Sequence, residues 1–240
     1  MDYLLISLTM AVAPGVVLFW YYNSKDKYRK EPARLLWKTA LGGVFITVPA
    51  IIVERILGPF SSQFPRPLNL AFTAFIVAAL TEEALKLWAV RLVAYNHKAF
   101  DEVTDGIIYC VVASLGFAVL ENVLYVLNLG LLVALLRAFT SVPGHVIFSG
   151  VMGFYVGLAR FAPDQGTARR YMNQGLGYAV LLHGLYDFFI FLNPVVGLVL
   201  NALLLIWGFL RLRLLIKTAH RLDLDSGRVQ GVVVLGESLR

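Results

Sequence analysis

Residues 106–128 read GIIYCVVASLGFAVLENVLYVLN, with one charged side chain, Glu121, in the whole run. A helix crosses a bilayer with about 20 predominantly apolar residues at 1.5 Å each, so this run is long enough to span. Runs of the same kind recur on both sides of it. They predict seven spans, near 3–22, 36–57, 69–93, 106–128, 142–161, 173–192 and 195–216. Composition agrees: 59% of the 240 residues are hydrophobic and 15% charged, with a mean hydropathy of +0.73. An ordinary soluble domain is about 45–50% apolar and about 25% charged. The expected fold is therefore all-α, a polytopic membrane helix bundle in the cell membrane. The stretch LLVALLRAFT at 131–140 is too short to cross. It is expected as a short helix that lies at the interface or re-enters before Pro143-Gly144.

The first span begins Met-Asp-Tyr without a basic leader and carries Pro14-Gly15. It is expected to be a retained span and not a cleaved signal. One transmembrane domain is expected over 1–217. A cytoplasmic tail follows at 218–240, where Val232 to Val234 either stay disordered or pair as a short strand. No internal repeat is visible. The lone Cys110 excludes an intrachain disulfide and reads as a small packing residue.

The net charge of +6 raises nucleic acid as a partner, but its distribution argues for a lipid bilayer instead. Lys25, Lys27, Arg29, Lys30, Arg34 and Lys38 crowd the segment after the first span, whereas 58–67 carries only Arg66. Arg91 and Lys98, then Arg160, Arg169 and Arg170, then Arg211, Arg213, Lys217 and Arg221 fall on the same side as that crowded segment. The positive-inside rule places this side in the cytoplasm, so the N-terminus is expected outside and the C-terminus inside.

Against this background the polar residues inside the spans stand out. An ionisable side chain at mid-membrane costs about 2.5–3.5 kcal/mol on insertion scales, which makes each one a functional candidate. The third span holds Glu82, Glu83 and Lys86, the fourth Glu121, Asn122 and Tyr125, the fifth His145, and the sixth His183 and Asp187. Glu82 and Lys86 share a helix face, as do His183 and Asp187. Glu83 is turned about 100° from Glu82 and meets different neighbours. Rise per residue puts Glu121, His183 and Asp187 roughly 8–14 Å from the outer ends of their spans, so all could meet in one outer-half cavity.

Bland readings compete for single residues. Glu82 with Lys86 serves equally as a buried ion pair that fixes packing. Arg137 is expected to snorkel to the surface, and Glu54-Arg55 to lie at the interface. Asp101, Glu102 and Asp105 read as a solvated loop, with Thr104 or Asp105 capping the next span. The combination across four spans is what points to chemistry. Two schemes fit it. In one, His145, His183 and either Glu121 or Asp187 hold a metal such as zinc while Glu82 or Glu83 takes a proton from water. In the other, a carboxylate activates water without metal and a histidine or tyrosine steadies the oxyanion. An H-E-x-x-H helix, a G-x-S-x-G elbow and nucleotide-binding loops are all absent. An ion-coupled transporter would use the same buried residues and is the rival reading, although no matching halves are visible.

The order Glu82-Glu83-x-x-Lys86, Phe117-x-x-x-Glu121-Asn122-x-x-Tyr125, His145 and His183-x-x-x-Asp187 resembles the PrsW family of intramembrane proteases. DEVTDGIIYCVVASLGFAVLEN (101–122) and PGHVIFSGVMGFYVG (143–157) extend the likeness beyond the polar positions, over about 30–217. A more distant similarity is to the CAAX prenyl endopeptidase and bacteriocin-immunity group. The resemblance implies cleavage of a single-pass membrane protein of the anti-sigma-factor kind. It also implies that Glu82, Glu83, His145 and His183 are the catalytic residues. Metal-dependent and glutamic mechanisms both stay open, as do the oligomeric state and the choice between the two glutamates.

Overall fold

The computed structural model describes residues 2–227 and is all-helical. The helices are α1 (Asp2–Asn23), α2 (Ala33–Leu57), α3 (Leu68–Val93), α4 (Val103–Leu129), α5 (Leu131–Phe139), α6 (Ser141–Arg160), α7 (Gln165–Leu192) and α8 (Pro194–Asp225). Among the described residues seven helical segments are long and apolar enough to cross a membrane, with the short α5 leading into α6. The expected strand at Val232 to Val234 lies outside the described residues. The last helix runs on past position 217 to Asp225.

α4 is the axis of the bundle. Every residue from Val103 to Ala118 is buried, as a helix that is apolar on all sides requires. Around it pack α6, α2 and α1, while α7 sits between α6, α3 and α8. Small residues set the closest approaches, since lipid supplies no hydrophobic drive and transmembrane helices associate by tight packing. A Cβ on Gly106 of α4 would run into the backbone of Gly153 and Gly157 on α6. Outward faces carry large apolar side chains instead; on α2 these are Phe45, Val48, Ile52 and Ile56, a stripe at helical spacing suited to hydrocarbon.

α3 is irregular where it matters. After one α-turn at Leu68–Ala71 it is π-helical over Phe72–Leu80, then α-helical from Thr81. π-Segments recur at functional sites because they re-aim the residues that follow. Here the residues that follow are Thr81, Glu82 and Glu83, all buried.

At the far end of α4, the expected solvated loop is instead packed away: Glu102 and Asp105 are fully buried. The carboxylate of Asp105 accepts from the amides of Asp101 (2.8 Å) and Glu102 (2.7 Å). Asp223 of α8 accepts from the amides of Val103 (2.6 Å) and Thr104 (3.1 Å). The first amides of α4, which have no partner within the helix, are thus satisfied partly by a residue far away in sequence.

Candidate active site

Lys86 is the place to begin, because among the described residues it is the one buried lysine or arginine. A lone ammonium cannot stay charged in such a place without anionic partners. Its Nζ donates to Glu83 Oε1 (2.7 Å) and Glu82 Oε2 (3.0 Å) and lies 2.9 Å from His145 Nδ1. It also sits over the Phe117 ring. The spacing within α3 makes the first two contacts, one turn apart on the helix; α6 brings the histidine.

Hydrogen-bond logic fixes the imidazoles. An ammonium only donates, so His145 Nδ1 accepts and its Nε2–H donates to Glu121 Oε2 (2.9 Å). His183 Nδ1 lies 3.0 Å from Glu83 Oε1; the carboxylate accepts, so Nδ1 carries the proton and the neutral ring keeps Nε2 bare. The unprotonated nitrogens of both rings face Glu82: Oε2 is 3.8 Å from His145 Nδ1, which also accepts from Lys86, and 4.0 Å from the free His183 Nε2. Phe148 stacks on His183 and holds its plane.

The two glutamates differ as a 100° turn demands. Glu83 is fully buried (0% exposed), and its oxygens are taken by Lys86, His183 and Ser149, whose Oγ donates at 2.8 Å. Glu82 is 6% exposed. It lies in the wall of a cavity of about 290 Å³ with Thr47, Ile51, Glu54, Phe117, Glu121 and Tyr125.

Four of the expected site residues therefore form one group, with a donor atom from each of Glu82, Glu83, His145 and His183 within 4.8 Å of the others. Glu121 and Asp187 stand beside it. Glu121 meets His145 on the nitrogen away from Lys86, and Asp187 Oδ2 is 3.5 Å from His183 Nε2. Arg137 does not snorkel to the surface. Its guanidinium donates to Glu121 Oε2 at 2.6 Å and stacks on Tyr125, because a buried carboxylate in reach outweighs partial hydration. Glu54, expected at the interface, lines the cavity. Asn122 ties α4 to α1 through the Ala11 carbonyl (3.1 Å).

Sequence reasoning missed two hydroxyls. Ser149 lies one turn after His145 on the same face, a spacing that could have flagged it. Ser114 donates to the His145 carbonyl at 2.8 Å, and nothing in its apolar run marks it. The donor set fits a divalent metal: it offers two unprotonated imidazole nitrogens, that of His145 now accepting from Lys86, and carboxylates, the ligand types of catalytic zinc. A carboxylate behind each ring is the usual arrangement that orients metal-binding histidines. The single ammonium at the focus shows that these groups converge on one positive charge.

The model of the "PrsW family intramembrane metalloprotease" family matches residues 31–212. "Protease PrsW" of Geobacillus kaustophilus is 37% identical over 206 residues, covering 85% of this chain and 89% of that protein. "Protease PrsW" of Clostridioides difficile is 35% identical over 188 residues, 77% of this chain and 79% of its own. The protein of the same name from Bacillus subtilis is 32% identical over 210 residues, 84% and 91%. No solved structure matches the chain. Likeness along most of both chains decides between the enzyme and the transporter readings. The likeness carries the assignment by its own length, and the buried donor group agrees with it: the chain belongs to the PrsW family of intramembrane metalloproteases.

Proposed function

We propose that this protease hydrolyses a peptide bond of a single-pass membrane protein, an anti-sigma-factor-like substrate, near its extracytoplasmic side, with zinc as the metal. The carrying observation is the position of Glu82, in a cavity wall and facing the unprotonated nitrogens of both histidines. His145 Nδ1 and His183 Nε2 would hold the metal, with Asp187 beside His183 Nε2 as the carboxylate ligand. A metal held by these residues would supply Lewis-acid polarisation of the scissile carbonyl and would ease deprotonation of water.

The remaining work falls to the chain's own side chains. Glu82 takes the proton from the attacking water and returns it to the leaving nitrogen, a general base that becomes a general acid. Glu83 holds His183 by its Nδ1–H, and Glu121, itself held by Arg137, holds His145 by its Nε2–H. Glu121 is thereby a positioning residue in place of the ligand expected from sequence. Lys86 balances the paired glutamates. Ile51, Phe117, Leu124 and Leu129 give the cavity wall an apolar part beside its glutamates, which suits an extended substrate segment arriving from lipid. The cavity occupies the Leu129 end of α4, away from the lysine- and arginine-rich segments, which supports cleavage towards the outer face.

The test uses the full chain in proteoliposomes with a co-reconstituted single-pass anti-sigma-factor substrate. Glu82→Gln and His183→Ala are expected to insert normally and leave the substrate intact. Cleavage by Glu82→Gln at the wild-type rate would refute the assignment of the base.

A further inference from the structure

A second buried group of carboxylates sits at the opposite end of α4. Asp26, in the α1–α2 connection, and Glu102 and Asp105, at the start of α4, are all 0% exposed. One carboxylate oxygen of each lies within 4.8 Å of the others. Glu31 joins the same region: its amide donates to Asp26 Oδ2 (3.0 Å), and its carboxylate accepts from the Tyr109 hydroxyl.

Helix capping accounts for part of this cluster and no more. Asp105 Oδ2 and the Asp223 carboxylate already take the amides of residues 101–104. That leaves Asp26 Oδ1 and Asp105 Oδ1 buried with no hydrogen-bond partner, and the buried Glu102 carboxylate with no more than a loose capping-box approach to the Asp105 amide. Buried polar atoms are nearly always satisfied, and a buried carboxylate without a partner is far costlier than a hydroxyl. The neighbouring cations do not supply the want. Lys30 donates to the backbone carbonyls of Asn23 (2.9 Å) and Asp26, and Arg29 pairs with Asp101 outside the cluster at 2.6 Å. Lys86, the buried cation, belongs to the active site.

We propose that Asp26, Glu102 and Asp105 form a second metal site, for a hard divalent cation of the calcium or magnesium class. The donors are oxygen only, with no histidine or cysteine among them, the set that hard cations take. Bound there, the cation ties the α1–α2 connection to the start of α4. It lies about 24 Å along that helix from Glu121, at 1.5 Å per residue, so it is separate from the catalytic metal. Its role is structural: it holds the helix that carries Glu121.

The test uses the full-length His183→Ala chain in detergent, stripped with EDTA, so that the catalytic site does not contribute. Calorimetric titration with calcium chloride and, separately, magnesium chloride should show one saturable site for at least one of them. The melting midpoint should rise by about 5 °C at hundredfold excess over Kd. Adding Glu102→Gln should abolish both signals. Glutamine keeps an oxygen to face the Asp105 amide in the capping box, so the variant is expected to fold, and Asp26→Asn provides a second reading. Absence of a saturable site for either cation, or equal binding with and without these substitutions, would overturn the proposal.

Discussion

The two ends of α4 solve the same electrostatic problem differently. At one end Glu82 and Glu83 are buried with their own counter-ion, Lys86, and with two histidines, and nearly every polar atom has a partner. At the other end Asp26, Glu102 and Asp105 are buried just as deeply with no buried lysine or arginine, and oxygens of Asp26 and Asp105 are left over. A site that must bind, turn over and release needs its charge balanced before substrate arrives. A site that only ties two segments together can leave the balance to a cation. The mixed nitrogen and oxygen donors of the first suit zinc, and the all-oxygen second suits a harder ion.

The largest expected effect is at the catalytic end. Glu82→Gln keeps the shape of the side chain and removes its basicity, so substrate cleavage in proteoliposomes should fall by about 10²–10⁴-fold. Next comes Lys86→Met, which leaves two buried carboxylates without their cation. Breaking a buried pair from one side costs about 3–5 kcal/mol, to be seen as a lowered melting midpoint in detergent. Unchanged stability would mean that the glutamates are already neutral and that the comparison between the ends is wrong. The seam between α4 and α6 should be sensitive as well. Gly157→Val forces a Cβ into the Val103 backbone and is expected to cost about 1–3 kcal/mol, measured by the same melt.

The smallest effect is a pH dependence confined to the acidic end. Glu31 and Glu102 face Asp26, Asp101, Asp105 and Asp223, with Arg29 and Lys30 as the nearby cations, and their carboxyls are raised to about 8. Their ordinary value is near 4.5. The folded chain therefore binds more protons than the unfolded one between these limits. This contribution to stability is complete below about pH 4.5 and is lost as pH rises through about 8. Melting midpoints of the EDTA-stripped chain should fall over that window, and saturating divalent cation should flatten the fall.

The difference between the two ends also explains what could be read from the residues. The seven spans were legible because length and hydropathy alone define them, and so was the short helix before Pro143. Convergence of Glu82, Glu83, His145 and His183 was legible in outline, since their cost in a membrane demands partners. The π-segment before Glu82 was not, because the extra residue per turn leaves no mark in an apolar run. Arg137 and the acidic end were misread for one common reason. Residues 101–105 look like a polar loop until Asp223, more than a hundred positions on, and the Asp26–Glu31 connection close over them. Arg137 looks free until Glu121 is placed beside it. Burial of a polar residue is decided by distant partners, whereas burial of an apolar run is decided locally.

His145 and His183 are expected to hold a catalytic zinc, with Glu82 acting on water without being needed to bind the metal. Elemental analysis of the purified wild-type, Glu82→Gln and His183→Ala chains tests it most directly. About one zinc per chain is expected in the first two, and its loss in the third. Active wild-type protein without metal, or zinc retained in His183→Ala, would contradict it.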